Sequence, residues 1–145
     1  MKFVVLVLLT VSCVANAAQW SALGENDFGA FYVDKATIAQ TQGLIQVDTL
    51  LNWVDPHTLP GNDTKTYQSE VALAYLDCKN SELAFGSRTM YADSDGMGKV
   101  VFNIELSLND VRLRAFSAGS TGEQLMKSVC PKPAKTSALT PPAKK

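Results

Sequence analysis

Apolar and polar residues alternate with a period of two along most of the chain between Trp20 and Phe116. This period is typical of β-strands that bury one face and leave the other in water. The longest example covers residues 44–54. One face of that segment carries Ile45, Val47, Thr49, Leu51 and Trp53. The pattern predicts a domain built mainly from strands.

Shorter stretches with the same alternation predict the other strands, and Gly, Asn and Asp mark the turns between them. These strands are residues 20–23, 30–34, 82–91, 99–106 and 111–116. We expect turns at residues 24–27 and 93–96. Residues 56–66 contain Pro60-Gly61 and many polar side chains, so we expect a loop there.

Residues 70–78 are the best candidate for a central strand, because both faces of this segment are apolar. One face carries Val71, Leu73 and Tyr75, and the other carries Ala72, Ala74, Leu76 and Cys78. The small side chains on the second face leave room for a helix to approach closely.

The spacing Ser120-x-x-Glu123 is a capping box, which marks the start of a helix. Pro131 stops the helix near Cys130, and Leu125 and Val129 lie one turn apart toward the sheet. The predicted fold class is therefore α+β, with a single antiparallel sheet of about six strands and one C-terminal helix.

The N-terminus has the features of an export signal. Lys2 precedes an apolar run that ends at Val14, and Ala15-Asn16-Ala17 fits the small-x-small cleavage pattern. The run is too short for a stable membrane anchor, and no later segment is apolar enough to span a bilayer. A lipid anchor at Cys13 is the alternative, but Thr10 stands where a lipobox usually has leucine. We expect a signal peptide at 1–17 and export to the periplasm or the outer-membrane surface.

Removal of Cys13 with the signal leaves two cysteines, Cys78 and Cys130, in an oxidising compartment. Only one intramolecular pairing is then possible, and it would tether the helix to the sheet. The two residues are 52 positions apart, whereas a redox-active pair needs the C-x-x-C spacing. This spacing indicates a structural disulfide.

Charge is distributed unevenly along the chain. All fourteen acidic residues lie in the predicted domain at residues 18–130, whereas the tail at 131–145 is basic. The tail holds four prolines and almost no bulky apolar residues, which predicts disorder. We expect an acidic domain followed by a Pro/Lys-rich tail that is either solubilising or a tether to anionic envelope polymers.

Residue patterns for catalysis and cofactor binding are missing. His57 is the only histidine, and beside Asp55 it makes at most half of a catalytic relay, so we expect an exposed polar side chain. Asp93 and Asp95 match the start of a calcium loop but lack its final glutamate. Arg112 and Arg114 are too few for a nucleic-acid surface. We expect no enzymatic activity, cofactor, metal or nucleic-acid partner.

Several short marks, taken in their order and spacing, resemble the surface-adhesin protein E family over residues 20–130. They are Trp20-x-x-Leu23-Gly24, Tyr32-Val33-Asp34, Ile38, Thr58-Leu59-Pro60, Asp77-Cys78, Tyr91, Gly98-x-Val100-Val101, Gly119-Ser120 and Val129-Cys130. The resemblance implies one antiparallel sheet, a C-terminal helix held by a disulfide, and an envelope adhesin that binds host matrix or serum proteins such as vitronectin and laminin. The family's tryptophan before the helix is absent here, so no ligand-binding residue is carried over.

One helix covers only one face of a sheet, which leaves the face with Val71, Leu73 and Tyr75 to be covered by something else. We expect a protein partner or a second copy of the chain to bind this face or a sheet edge. A loop such as residues 56–66 could cover it instead. The alternative function is a periplasmic accessory protein for envelope assembly or stress, with no host ligand.

Overall fold

The computed structural model describes residues 18–131. Within this range the strands are β1 (Trp20–Asn26), β2 (Gly29–Thr41), β3 (Leu44–Leu59), β4 (Asn62–Asp77), β5 (Glu82–Tyr91), β6 (Val100–Ile104) and β7 (Arg114–Ala115), and the helix is α1 (Thr121–Val129). Short 3₁₀ turns occur at Ser94–Gly96 and Leu108–Asp110. The predicted signal peptide with Cys13 and the predicted tail beyond Pro131 lie outside the described residues.

The strands form one antiparallel sheet in which β1 to β6 lie side by side in chain order. β7 pairs with β5 at Glu82 and Leu83, while β6 pairs with the other end of β5. Alternating segments separated by short turns favour such a meander, because antiparallel neighbours need only a hairpin connection. The predicted fold class is confirmed.

The prediction of a loop at residues 56–66 is wrong. β3 and β4 continue through this segment to a turn at Pro60-Gly61, so only the turn was placed correctly. The β3–β4 hairpin extends beyond the neighbouring strands of the sheet. Its polar side chains therefore reach water, although its backbone is paired. Leu59 and Tyr67 are buried in this extension and pack with Met90.

Two other boundaries differ from the prediction. β1 and β2 are longer than expected, and their turn lies later, because the Asn26 side chain accepts hydrogen bonds from Phe28 N and Gly29 N at 2.9 and 3.1 Å. The predicted strand at 111–116 is reduced to β7, since only Arg114 and Ala115 pair with β5.

The predicted start of the helix is confirmed. The Ser120 hydroxyl accepts a hydrogen bond from Glu123 N at 3.3 Å. The Glu123 carboxylate accepts from Gly119 N at 2.6 Å rather than from Ser120 N as predicted. Gly122 lets the helix lie close to the sheet, because a Cβ there would stand 2.8 Å from Leu83 Cδ2.

A disulfide joins Cys78, just after β4, to Cys130, the C-cap of α1, with their Cα atoms 5.7 Å apart. This confirms the predicted bridge. We call the side of the sheet that carries α1 the helix face, and the part beneath α1 its covered end. The covered end consists of Val33, Val47, Ala74 and Leu76, which pack with Leu125 and Met126.

α1 is too short and too polar to cross a membrane, and it is the one α-helix in residues 18–131.

Candidate protein-binding surface

The face opposite α1 is partly covered by the chain's own loops. Tyr75 is 6% exposed. It lies beside Gly86 and shares a shallow pocket with Leu106. Val71 is half-buried, and its Cγ2 would be 3.1 Å from a Cβ on Gly96. The segments around residues 96 and 106 therefore cover part of this face, and Leu73 there is half-buried. A partner on this face stays a prediction. Residues 56–66, the alternative cover, belong to the hairpin.

On the helix face, α1 covers only part of the strands. Beyond the helix lies a cleft of about 270 Å³ between the first turns of α1 and the strands. Its walls are mainly apolar and come from β1, β2, β3, β4, β5 and α1. They include Leu23, Phe31, Leu51, Trp53, Ala72, Phe85 and Leu125. We call this region the open end of the helix face.

An ion pair lies in the wall of this cleft. Glu70 Oε1 is 3.6 Å from Arg88 Nη1, which is too long for a hydrogen bond. The Glu70 side chain is 13% exposed. Burial raises the pKa of Glu70, and the nearby Arg88 guanidinium only partly opposes this. The open end thus holds a carboxylate that its surroundings solvate poorly.

Two large aromatic side chains are exposed on neighbouring strands of this region. Phe85 lines the cleft and is 39% exposed. Phe102 is 44% exposed and lies on β6, opposite Met90 in the strand register. Aromatic residues of this kind are enriched in the centres of protein interfaces. The open end therefore has the composition of a protein-binding surface.

The hairpin extension borders the open end, and three of its aromatic rings contact one another at tilted or edge-on angles. The His57 ring centroid is 3.9 Å from that of Trp53, and Tyr67 meets Trp53 edge-on at 6.5 Å. His57 is half-buried, so the prediction of an exposed polar side chain is wrong. Asp55 is exposed and has no hydrogen bond to His57 within residues 18–131. His57 therefore packs against the rings of Trp53 and Tyr67.

The acidic residues singled out in the sequence take part in local structure. Asp95 Oδ1 accepts a hydrogen bond from Asn52 Nδ2 at 2.7 Å, and Asp95 N donates to Asn52 Oδ1 at 2.8 Å. These bonds fix the turn after β5 to β3. In the described part of the chain, no group of three or more His, Cys, Asp or Glu side chains is placed to hold a metal ion.

A second pair of acids lies across β2 and β3, on the face opposite α1. Asp34 and Asp48 are cross-strand neighbours. Asp34 is buried and accepts hydrogen bonds from Gln19 N and Ala36 N at 3.2 and 2.9 Å. Burial, and then the charge of Asp34, raises the pKa of Asp48. The Gln19 contact attaches the first described residues to the sheet.

The sequence did not reveal the open end, because its walls come from six elements that only the folded sheet brings together. The signal that could have found it is the length of α1. Nine residues rise about 13 Å, which is less than the length of a nine-residue strand segment, about 30 Å. A helix this short leaves part of the sheet face uncovered.

The family model described as Surface-adhesin protein E matches residues 20–131. The chain belongs to the surface-adhesin protein E family. Among curated proteins, none matches the chain significantly.

Solved structures of a family member have the same fold. The structure of Haemophilus influenzae protein E has a TM-score of 0.58 and 14% identity, covering 83% of this chain and 90% of that one. The structure of protein E from non-typeable Haemophilus influenzae has a TM-score of 0.54 and 14% identity, covering 81% of this chain and 79% of that one. At this identity the similarity concerns the fold alone. The roles of surface residues therefore rest on the residues of this chain.

Proposed function

We propose that this protein is exported to the bacterial envelope, where it acts as an adhesin that binds host matrix or serum proteins through the open end of the helix face. It is a binding protein rather than an enzyme. Membership in a surface-adhesin family supports the class of function. The observation that carries the location is the apolar cleft that α1 leaves uncovered.

The chemistry of the cleft favours a protein ligand. Leu51, Phe85 and Trp53 supply apolar and aromatic contacts, and Arg88 supplies a charge at the edge. Interfaces commonly concentrate binding energy in a few such aromatic and arginine residues. A cleft of about 270 Å³ has room for one or two bulky side chains of a partner.

The test measures binding of the purified protein to immobilised laminin and vitronectin, with wild type compared with Phe85→Ser. We expect wild type to bind and the variant to lose at least about tenfold in affinity, the loss expected for an interface hot spot. The matched control is Phe28→Ser, because Phe28 is 70% exposed but lies outside the cleft. Equal affinity of wild type and Phe85→Ser would place the binding surface elsewhere.

The location of the protein in the envelope needs a separate measurement. We expect protease added to intact cells to digest the protein. If it is digested only after the outer membrane is permeabilised, the adhesin proposal fails and the periplasmic accessory role becomes the better proposal.

A further inference from the structure

The three arginines of this chain, Arg88, Arg112 and Arg114, line a single cleft of about 370 Å³. The cleft lies between β5 and the segment around β7, and Phe85 and Phe116 form part of its wall. None of the described residues that line it is acidic. This concentration is unexpected in a domain that contains all fourteen acidic residues of the chain.

The fold brings the arginines together from distant parts of the sequence. Arg114 pairs with Leu83 at one end of β5, and Arg88 lies near the other end of the same strand. Arg112 and Arg114 are exposed, whereas Leu113 between them and Val111 before them are half-buried. This alternation puts the two exposed side chains on one side of an extended segment, about 7 Å apart along the chain.

Nearby carboxylates compensate the positive charges of the guanidinium groups only poorly. Within residues 18–131, Glu70 is the one carboxylate within 4.0 Å of any of them, and it contacts only Arg88, at 3.6 Å. Two unit charges about 7 Å apart repel by about 0.6 kcal/mol in water and by more near a protein surface. A bound anion would relieve this repulsion and occupy the free guanidinium donors, which suit the planar geometry of carboxylates.

We propose that this arginine cleft binds an acidic peptide segment of the partner protein, with carboxylates at alternate positions and a bulky apolar residue beside them. In an extended peptide, side chains two residues apart are separated by about 7 Å, which matches the spacing of Arg112 and Arg114. The proposal rests on the proposed function, because it names the chemistry of the protein ligand.

The neighbouring cleft favours a peptide over other anions. Phe85 and Arg88 line both the arginine cleft and the apolar cleft of the open end, so the two form adjoining parts of one surface. An acidic peptide can place carboxylates in one part and an apolar side chain in the other. Inorganic phosphate and sulfated polysaccharides carry the charge but no apolar group of this size.

The experiment uses the exported full chain and a fluorescein-labelled synthetic peptide with aspartates at alternate positions next to one phenylalanine. Fluorescence anisotropy measures its binding to wild type and to Arg112→Gln/Arg114→Gln. Both arginines are exposed, so the double variant should keep the fold, which circular dichroism checks. We expect the variant to bind at least about tenfold more weakly and to lose most of the salt dependence of binding.

Two controls separate the arginine cleft from the overall charge. The variant Lys65→Gln/Lys99→Gln removes the same number of positive charges from exposed sites outside the cleft, and we expect it to bind like wild type. The peptide with asparagine in place of aspartate should not bind. Equal loss in the lysine and arginine variants would overturn the proposal.

Competition identifies the class of anion. Heparin fragments or inorganic phosphate that bind in the same arginine-dependent way while the peptide does not would overturn the peptide assignment. Failure of all three probes would overturn the site itself. If laminin or vitronectin binding depends on Phe85 but not on the arginines, the proposed function stands and this inference fails. If the peptide binds but laminin and vitronectin do not, the arginine cleft stands and the proposed function fails.

Discussion

The covered and open ends of the helix face belong to the same sheet, yet they are built on different principles. At the covered end, Val47 and Leu76 are fully buried beneath α1, and a disulfide holds the helix in place. At the open end, Phe85 remains exposed, and the half-buried Glu70 has Arg88 as its ion-pair partner at 3.6 Å. The covered end has features that stabilise the fold, and the open end has features typical of protein-binding surfaces.

The difference shows how a small domain can keep an exposed apolar surface without losing its fold. A domain of this size buries only about two thirds of the surface of its unfolded chain, so stability has to be concentrated. Here the disulfide, the helix and fully buried strand residues such as Val47 and Leu76 meet at one end. The other end is then free to expose aromatic side chains.

The largest expected effect comes from removing the disulfide. Cys78→Ser/Cys130→Ser should lower the free energy of unfolding by about 4 kcal/mol, because the bridge closes a long loop in the unfolded chain. Urea unfolding of the variant and of wild type measures the difference. Wild type in reductant should behave like the variant. A loss below about 1 kcal/mol would mean that packing alone holds α1 on the sheet.

A matched pair of truncations compares the two ends directly. Leu76→Ala at the covered end should cost about 3 kcal/mol, because it leaves a cavity in a fully buried site. Phe85→Ala at the open end should cost less than about 1 kcal/mol, although it removes more atoms, because its side chain is already in contact with water. Thermal or urea unfolding measures both. Similar costs would contradict the distinction between the ends.

The smallest effect concerns pH at the open end. Burial raises the pKa of Glu70 above its ordinary value of 4.5, so the folded state binds this proton more tightly than the unfolded state. Stability is therefore lost as the pH rises from about 4.5 through the raised value. Glu70→Gln has no such proton, so the stability of wild type relative to this variant should fall as the pH rises above 4.5.

Urea unfolding at a series of pH values measures this slope. Glutamine cannot ionise, so the variant lacks both the burial penalty of the charged Glu70 and its attraction to Arg88, and the wild-type slope reports the net of these two effects. The control is Glu25→Gln, which makes the same carboxylate-to-amide change at an exposed position of β1. A parallel profile for Glu70→Gln and wild type would contradict the burial of the Glu70 charge.

The sequence predicted those features that depend on local patterns. Alternation predicted the strand at residues 44–54, and Ser120 with Glu123 predicted the start of α1. The hairpin extension was missed because its polar side chains also suit a loop, and the buried contact of Tyr67 with Met90 comes from another strand. The arginine cleft was missed because Arg88 meets Arg112 and Arg114 only through the pairing of β7 with β5.

The disulfide also has a topological consequence. Residues 78 to 130 form a closed covalent ring, and this ring contains β5, β6, β7, α1 and all three arginines. A single cut by a protease inside the ring converts it to two segments that the sulfur bridge still joins. The arginines and Phe85 therefore cannot be released from β4 by one cleavage, provided that the bridge stays oxidised.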